Sequence, residues 1–263
     1  MEYFSRISLG AQVSFVLCLI DDYTGRPADS GSYRIEFKYY GGAPVHKQDG
    51  FVVFCGLAAG DYEIFILSEK YHNERTVLHV TDGEEPPVVY ISLRPRPSYS
   101  FSPEAALLRM TLVKGISKPV KGASVKVKII SAEAMKGKIA KVPVKKGDSD
   151  FYISSATGRL KAGDQFYLEA EGGEDVIAVE KQLDGLRHYQ TKHPFLYDHD
   201  RGNPIMPIME TLTDDRGEAV VYFRSLPVKY FDARATIVFE GQTIVKEVKM
   251  EEGRTIYLKK LRF

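Results

Sequence analysis

Histidines and carboxylates are concentrated in one short segment of the chain, residues 188–200. Three imidazoles and two carboxylates occur within these thirteen residues, namely His188, His193, His199, Asp198 and Asp200. Such groups can bind zinc or another transition metal, but their spacing matches no closed motif, and Pro194 prevents a regular helix from aligning them. We therefore predict a loop whose histidines are surface or interface groups, with a metal site and a pH-sensitive contact as alternatives.

Sequence patterns typical of enzymes and cofactor sites are absent. There is no Gly-x-Ser-x-Gly nucleophile elbow, and neither Cys18 nor Cys55 has a histidine beside it in sequence. No Walker-type phosphate loop or dinucleotide-binding fingerprint occurs either. The sequence therefore predicts a protein that is not an enzyme and that holds no cofactor and no metal.

Opposite charges are segregated locally, although 36 lysines and arginines nearly cancel 35 aspartates and glutamates over the whole chain. Residues 114–146 contain ten lysines and one glutamate, whereas residues 161–184 contain seven acids and two lysines. The simplest interpretation is two solvated faces, and the alternative is electrostatic docking onto a protein partner or another copy of the chain. Nucleic acid is not expected as a partner, because the basic run lacks stacking aromatics and acids follow it closely.

The elements that must position these groups are predicted to be strands. Short runs rich in Val, Ile, Phe and Tyr recur between Gly, Pro and Asp clusters, as in strands joined by tight turns. Six such runs in the first part are spaced as in one β-sandwich, at 13–20, 33–37, 51–54, 62–67, 76–80 and 88–93. Cys18 and Cys55 lie in or beside these runs, which indicates buried free thiols, with a structural disulfide as the alternative.

Two domains are predicted from the chain length and from a proline-rich segment. We place a first β-sandwich domain at 1–93, a stiff linker at 94–104, and a second β-sandwich domain at 105–263. The fold class is therefore all-β, with two immunoglobulin-like sandwiches in tandem.

The two parts also repeat one another. Residues 48–57 align with residues 215–226, and in each copy an Asp-Gly turn precedes a strand that ends in a leucine and is followed by three more strands. The second copy differs by about eighty extra residues, at about 132–212. Insertions of this length are usually functional or form interfaces.

The insertion therefore supplies our candidate contact residues for a protein partner, which we choose by location and not by a motif. They are Lys136, Lys138, Lys141, His188, His193, Tyr197 and His199.

Thr24-Gly25-Arg26-Pro27, the Asp49-Gly50 turn and Gly60-Asp61-Tyr62 combine turn residues with a packing aromatic. They resemble the turn and packing residues of the carboxypeptidase regulatory-like, or prealbumin-like, seven-stranded sandwich. The family pattern has a Thr-Gly-x-Pro turn, an Asp-Gly turn leading into an aromatic strand with a later Gly-x-Tyr, and a Gly-Tyr before the next strand. At this last position the chain has Lys70-Tyr71, so a lysine replaces the glycine. The matching segments are Thr24-Gly25-Arg26-Pro27, residues 47–57 and 60–64, with reduced versions at residues 119–125 and 213–218. The resemblance implies the prealbumin-like fold for both domains but no peptidase activity, because these residues only make turns and fill the core.

A second resemblance concerns the junction between the domains. Residues 93–101, followed by residues 119–123, are similar to a junction found in proteins of phage-tail-like contractile particles, where such sandwiches form terminal or accessory components. This resemblance implies a structural or accessory protein in such a particle.

Together these observations predict a non-catalytic protein that assembles with protein partners or with copies of itself. The alternative is a surface or secreted binding module, an adhesin or a carbohydrate-binding domain. No apolar run approaches the length of a membrane span, and the first ten residues lack the pattern of a secretory signal. The chain as given is thus expected to be cytoplasmic at synthesis, with release as part of a particle as a further option.

Overall fold

Nearly all regular structure in the chain is β-strand. The computed structural model describes residues 12–38, 44–47, 49–81, 85–154, 158–185 and 187–263, with only the backbone of Lys259. Among these residues the helical segments are two single 3₁₀ turns, Ser30–Ser32 and Ala132–Ala134, and no helix is long and apolar enough to cross a membrane. The all-β class is therefore confirmed. The chain divides into two compact units, Met1–Pro95 and Arg96–Phe263.

The first unit is a β-sandwich. Its described strands are β1 (Val13–Asp21), β2 (Arg26–Pro27), β3 (Arg34–Phe37), β4 (Val45–His46), β5 (Phe51–Cys55), β6 (Gly60–Leu67), β7 (Glu74–Val80) and β8 (Val88–Leu93). One sheet has the order β8-β1-β5-β4, in which β1 runs antiparallel to β5 and parallel to β8, and β2 pairs with the end of β1. The other sheet is β3-β6-β7. The six runs predicted from the sequence are the six longest strands.

Alternation along β1 and β5 builds the core of this sandwich. Phe15, Leu17 and Leu19 are completely buried, as are Val52 and Phe54 on the neighbouring strand. Side chains at every second position of a strand point to the same face, so these residues define the inner face of the sheet. The residues between them form the outer face.

The second unit contains the remaining strands. They are β9 (Ala106–Lys114), β10 (Lys118–Pro119), β11 (Ser124–Ile129), β12 (Gly137–Ala140), β13 (Asp150–Ser154), β14 (Gln165–Ala170), β15 (Gly173–Asp184), β16 (His188–Thr191), β17 (Pro204–Leu212), β18 (Glu218–Phe223), β19 (Tyr230–Phe239), β20 (Gln242–Glu251) and β21 (Thr255–Arg262). Strands β21-β9-β18 form one sheet and β11-β19-β20 belong to the other, with β21 parallel to β9. Apart from β4, which has no counterpart beside β18, this order matches that of the first unit, so both units are immunoglobulin-like or prealbumin-like sandwiches and the second carries a long insertion.

The insertion forms a closed barrel. Its six strands pair antiparallel in the order β12-β13-β16-β15-β14-β17, and β12 pairs with β17 to close the ring. A separate apolar cluster, which includes Phe151, Leu168, Val179 and Ile205, fills its interior. The far half of β17, Ile208–Leu212, pairs with β11, so one strand belongs to both the barrel and the sandwich.

The Asp-Gly turns of the two repeats need glycine for the same reason. Gly50 has φ +86°, and a Cβ placed on it would lie 2.3 Å from Cβ of Pro27. Gly217 has φ +71°, and its Cβ would lie 2.4 Å from the carbonyl oxygen of Leu112 and 3.3 Å from Cα of Pro119. In both repeats the turn is therefore left-handed and pressed against the short strand β2 or β10, which explains the repeated pairing of Pro with Asp-Gly.

The predicted linker at 94–104 is not a spacer free of both units. Pro95 forms a bridge with Tyr71 and ends the first unit. Tyr99, which follows in the second unit, is only 6% exposed, and Arg109 donates a hydrogen bond to the carbonyl oxygen of Pro97 over 2.7 Å. Most of the predicted linker is therefore packed onto the second sandwich.

Neither Cys18 nor Cys55 forms a disulfide. Cys18 pairs in register with Phe51, so Cys55 lies four residues further along β5, about 13 Å away at 3.3 Å per residue. A disulfide needs Cα atoms within about 7 Å. The register thus excludes the disulfide alternative.

Candidate interaction surface

Two of the seven candidate contact residues are buried. Lys136 and His199 are 8% and 1% exposed, so neither is available to a partner in the folded chain. Lys138, Lys141 and His193 are exposed, and His188 and Tyr197 are partly buried. The prediction of a contact surface in the insertion therefore rests on the latter five residues.

Lys136 ties the barrel to the sandwich. Its Nζ donates to the carbonyl oxygen of Ser225 over 2.7 Å, and its backbone N–H donates to the carbonyl oxygen of Ile205. Desolvation by burial lowers the pKa of Lys136, against the opposite effect of the nearby Asp164 carboxyl, whose own pKa burial raises. We assign Lys136 a structural role, because its ammonium reaches a backbone carbonyl and not the surface.

His199 is the centre of a buried polar network in the barrel. Its Nε2 lies 2.8 Å from Oδ2 of Asp175, which also accepts the backbone N–H of Tyr197, while Oδ1 of Asp175 accepts the backbone N–H of Leu196. Its Nδ1 lies 2.8 Å from the amide nitrogen of Asn203, which can only donate. The proton of a neutral His199 therefore lies on Nε2, and the ring fixes the loop that follows β16.

His188 and Lys141 meet on the outside of the barrel through Tyr152. The rings of Tyr152 and His188 stack at 4.0 Å with an interplanar angle of 10°, and Nζ of Lys141 lies 3.9 Å from the centroid of the Tyr152 ring. His188 also contacts the carboxylates of Asp150 and Asp184, the latter at 3.5 Å. The two predicted residues are thus brought together, although Tyr152, which joins them, was not among the candidates.

The other candidates do not join this stack in the described contacts. Tyr197 packs over Gly173, where a Cβ would lie only 2.4 Å from the tyrosine hydroxyl oxygen. The His193 side chain is exposed, and its carbonyl accepts a bond from Oγ1 of Thr191. The candidates are therefore spread over the barrel and do not form one patch.

The basic run is divided between two parts of the second unit, and five of its ten lysines form ion pairs there. Lys126 and Lys128 on β11 pair with Glu210 and Glu174. Lys145, near the barrel, pairs with Asp198 over 3.0 Å, and the bonds that Asp198 accepts, first from the Lys146 backbone, lower the pKa of its carboxyl. These lysines favour the interpretation of solvated faces over a single docking patch.

No group of three or more His, Cys, Asp or Glu side chains in the described residues is arranged to hold a metal ion. The thiol of Cys18 is equally unsuited to catalysis, because burial and then the charge of Asp49 raise its pKa and keep it protonated. In the described residues, Lys136, His199, Asp175 and Cys18 therefore have structural roles.

The more extensive candidate surface lies on the first unit, on the outer face of β4-β5-β1-β8. Register places Val16 between Val53 and Val88, and Cys18 between Phe51 and Tyr90. Ile20, Cys55 and Val45 extend the same face. Tyr90, Val88 and Val45 are 63%, 49% and 47% exposed. An outward sheet face of this composition is unusual, since antiparallel sheets normally place polar residues there.

The corresponding face of the second unit is covered by the chain itself over β9 and β18, whereas Tyr257 on the edge strand β21 is 69% exposed. Phe101 packs against Tyr222 of β18 at 5.4 Å and against Tyr99 at 4.8 Å, and the Arg109 guanidinium of β9 lies 6.0 Å from the Phe101 ring. Tyr222 and Arg109 both belong to the outer face, because their neighbours along each strand form the core. The segment 96–103 therefore shields in the second unit what is more open in the first.

The free edges of the sheets differ in charge. Among the described edge strands, all but one contain a charged residue or a histidine, such as Arg75 on β7 and Glu218 on β18. On β20, Lys246 pairs with the buried Ala235 and so projects from the core face of its sheet, which hinders pairing with another strand. The exception is β8, Val-Val-Tyr-Ile-Ser-Leu, which carries none.

Sequence reasoning missed the outer face of the first unit. Its signal is present in β1, where apolar residues occupy both faces (Val16, Cys18 and Ile20 as well as the core positions), and again in the unbroken apolar start of β8. Such runs are also typical of strands buried on both sides, so composition alone does not say that one face is open.

No family model matches the chain, and no curated protein matches it. Among solved structures, a streptococcal ancillary pilin is 11% identical with a TM-score of 0.26, over 94% of this chain and 68% of its own. The TIE protein of Bacillus anthracis is 10% identical with a TM-score of 0.26, and the chain, 95% of which is matched, spans 50% of it. Shaft pilin SpaA of Lactobacillus rhamnosus GG is 12% identical with a TM-score of 0.24, over 96% and 97% of the two chains. Overlaps this weak carry no conclusion about function, and they show no link to phage tails.

Proposed function

We propose that this protein is non-catalytic and works by binding another protein, as a surface or assembly module. The observation that supports this most directly is the outer face of the first unit, where Val88 and Tyr90 are about half exposed or more beside an uncharged edge strand. Exposed apolar patches of this kind in soluble proteins are typical of interaction sites.

The inserted barrel supports the same function in a different way. Its interior is filled by its own apolar cluster, and His199 with Asp175 is used to hold a loop. What the barrel offers to other molecules is its exterior, including the Lys141, Tyr152 and His188 stack. The second unit therefore presents the outer surface of its barrel, which suits assembly.

The experiment is affinity capture with the tagged full chain, followed by reconstitution. Proteins retained from envelope fractions and from purified particles of the native host are identified by mass spectrometry, then produced pure and mixed with the chain in sedimentation velocity runs. A stoichiometric complex with one purified protein is the expected result. If the chain sediments alone with each retained protein, the proposal is wrong.

A component of a phage-tail-like contractile particle is the second candidate, and the residues of the junction at 93–101 are what favour it. In this setting the retained proteins would be those of a tail tube, sheath or baseplate, and the chain would be found in purified particles. Retention of envelope or extracellular proteins instead would favour the surface module.

A further inference from the structure

We propose that His199 and Asn203 form a pH-sensitive latch, which ties the loop after β16 to the β14–β15 hairpin at neutral pH and releases it in acid. The latch is one amide group that makes two hydrogen bonds. Nδ2 of Asn203 lies 2.8 Å from Nδ1 of His199 and 2.9 Å from the carbonyl oxygen of Glu169. His199 and Asn203 belong to the loop, residues 192–203, and Glu169 lies near the end of β14, so the amide joins the two segments.

Both bonds together require a neutral His199 ring. An amide nitrogen donates two hydrogen bonds and accepts none, so Nδ1 of His199 must accept, which only an unprotonated Nδ1 can do. Rotating the amide by half a turn would place its oxygen against the carbonyl oxygen of Glu169. The bond to Glu169 therefore fixes the direction in which the Asn203 amide faces.

Asp175 allows the ring to take up a second proton without leaving its place. Nε2 of His199 donates to Oδ2 of Asp175 over 2.8 Å in both protonation states, and the carboxylate stabilises a positively charged ring. A protonated Nδ1 becomes a donor, so the Asn203 amide must turn its oxygen toward it and give up Glu169. This second bond lies at the surface, where water can replace it, and the latch thus opens without unfolding the barrel.

The other charged groups near His199 do not bond its ring, which is completely buried. Asp198 pairs with Lys145 over 3.0 Å, and both of these side chains are more than half exposed. The Phe195 ring packs edge-on at 5.6 Å. Within the described contacts the state of Nδ1 is therefore transmitted through Asn203.

The direction of the pH effect follows from which state binds the proton. The closed latch excludes a proton from Nδ1 and the open latch accepts one, so acid favours the open state. Imidazoles change charge in the range of about pH 5 to 8. The latch is therefore closed at the upper end of this range and opens as the pH falls through it.

The test is an NMR titration of the ¹⁵N-labelled full chain from about pH 7.5 to about pH 5. The ring nitrogens of His199 and the side-chain amide of Asn203 should change with one midpoint. Over the same range the protection factors of the Ala170 and Gly173 amides, at the end of the hairpin, should fall about fivefold, the equilibrium effect of one lost hydrogen bond.

Two variants sharpen the test. Asn203→Asp can accept from a protonated Nδ1 but cannot donate to Glu169, so it should show the reduced hairpin protection already at neutral pH. His188→Gln is the control, because it removes an imidazole on the outside of the barrel. It should leave the acid response of the hairpin as it is in the wild type.

A His199 ring that stays neutral down to about pH 5, or that is protonated while Asn203 and the hairpin stay unchanged, would overturn the proposal. The same loss of protection in His199→Gln would trace the response to another group. Parallel loss in β13 and β16 would mean that acid unfolds the barrel as a whole, and no latch would then be needed.

Discussion

The two sandwiches of this chain have the same strand order but different outer faces. In the second unit, Phe101 lies over Tyr222 and Arg109 on β18 and β9, whereas the edge strands β21 and β8 both leave a tyrosine exposed, Tyr257 at 69% and Tyr90 at 63%. The core faces, by contrast, are alike, since both are filled by alternate apolar residues. Strand topology thus follows from the inner face, whereas the outer face is free to be covered or used for binding.

The repeats also differ in the connection from β3 or β11 to the Asp-Gly turn. The first repeat has a short connection there, and the second has a six-stranded barrel that shares β17 with the sandwich. In the first repeat the sheet β3-β6-β7 ends at β3. In the second repeat the equivalent strand β11 pairs with β17, so the barrel is attached at this edge of the sheet. An insertion can therefore be accommodated without disturbing the repeat.

The largest expected effect tests whether the barrel is separate from the repeat. Asp175→Ala removes the acceptor of three hydrogen bonds, those from the partly buried backbone of Leu196 and Tyr197 and from the buried His199. We expect a loss of about 4 kcal/mol of unfolding free energy, because each donor left without its acceptor costs about 1–3 kcal/mol. Hydrogen exchange read segment by segment should show lost protection in β13 and β14 and unchanged protection in β1 and β5.

The control is Asp198→Ala, which removes a carboxylate from the loop after β16, the loop that Asp175 holds. The ion pair of Asp198 with Lys145 is exposed. This variant should leave the protection of β13 unchanged. Loss of protection in the first unit of the Asp175 variant would contradict the separation of the barrel from the repeat.

The next prediction concerns the glycine of the Asp-Gly turn, which both repeats contain. Gly217→Ala puts a Cβ 2.4 Å from the Leu112 carbonyl oxygen in a left-handed turn, and we expect a loss of about 3 kcal/mol, since strain and a backbone clash add. Gly50→Ala should cost a similar amount in the first unit. Gly241→Ala, also left-handed at φ +78° but with no atom within 4 Å, should cost only about 1 kcal/mol. Equal thermal unfolding shifts for all three variants would show that the contacts with Pro27 and Leu112 are unimportant.

The sandwich fold could be predicted from the sequence because its signals are local. Alternation in residues 125–129 and the two Asp-Gly turns follow from strand period and from the need for left-handed glycines. The barrel could not be predicted, because its closure depends on the pairing of β12 with β17, which lie more than sixty residues apart.

The candidate residues were predicted less well than the fold, for a related reason. Residue type suggested that His199 and Lys136 would face solvent. His199 is buried because it bonds Asp175 and Asn203, and Lys136 is buried because it bonds the Ser225 carbonyl. These partners lie far away in sequence or are not recognisable from it. His188 and Lys141 are joined only through Tyr152 on another strand. Sequence patterns report a side chain's type, whereas its role depends on partners that the fold brings together.

A smaller effect compares the two outer faces directly. Phe101→Ala removes a ring that contacts Tyr99, Tyr222 and Arg109, and we expect a loss of about 2 kcal/mol in the second unit. Tyr90→Ala should change stability by less than about 0.5 kcal/mol, because that ring is 63% exposed. Denaturant unfolding of both variants checks this. Equal losses would mean that the face of the first unit is as important to folding as the covered face, and would weaken its assignment to binding.

The smallest effect concerns the join between barrel and second repeat. Tyr167 on β14 donates from its hydroxyl to the Ile129 carbonyl oxygen of β11 over 2.7 Å, so Tyr167→Phe should lose about 1 kcal/mol at neutral pH. Burial, with the charges of Glu169 and Glu174, raises the pKa of Tyr167 to about 12. Above about pH 10 the unfolded chain loses this proton before the folded chain does, so the contribution is complete below pH 10 and declines toward pH 12.

Unfolding free energies measured over this alkaline range should therefore converge for wild type and Tyr167→Phe. Tyr257→Phe, which changes an exposed ring, should follow the wild type at every pH. A constant gap between wild type and Tyr167→Phe would mean that the hydroxyl is not held by β11. The barrel would then be joined to the repeat by β17 and Lys136 without this contact, and the insertion would be more independent of its sandwich than the packing of Tyr167 indicates.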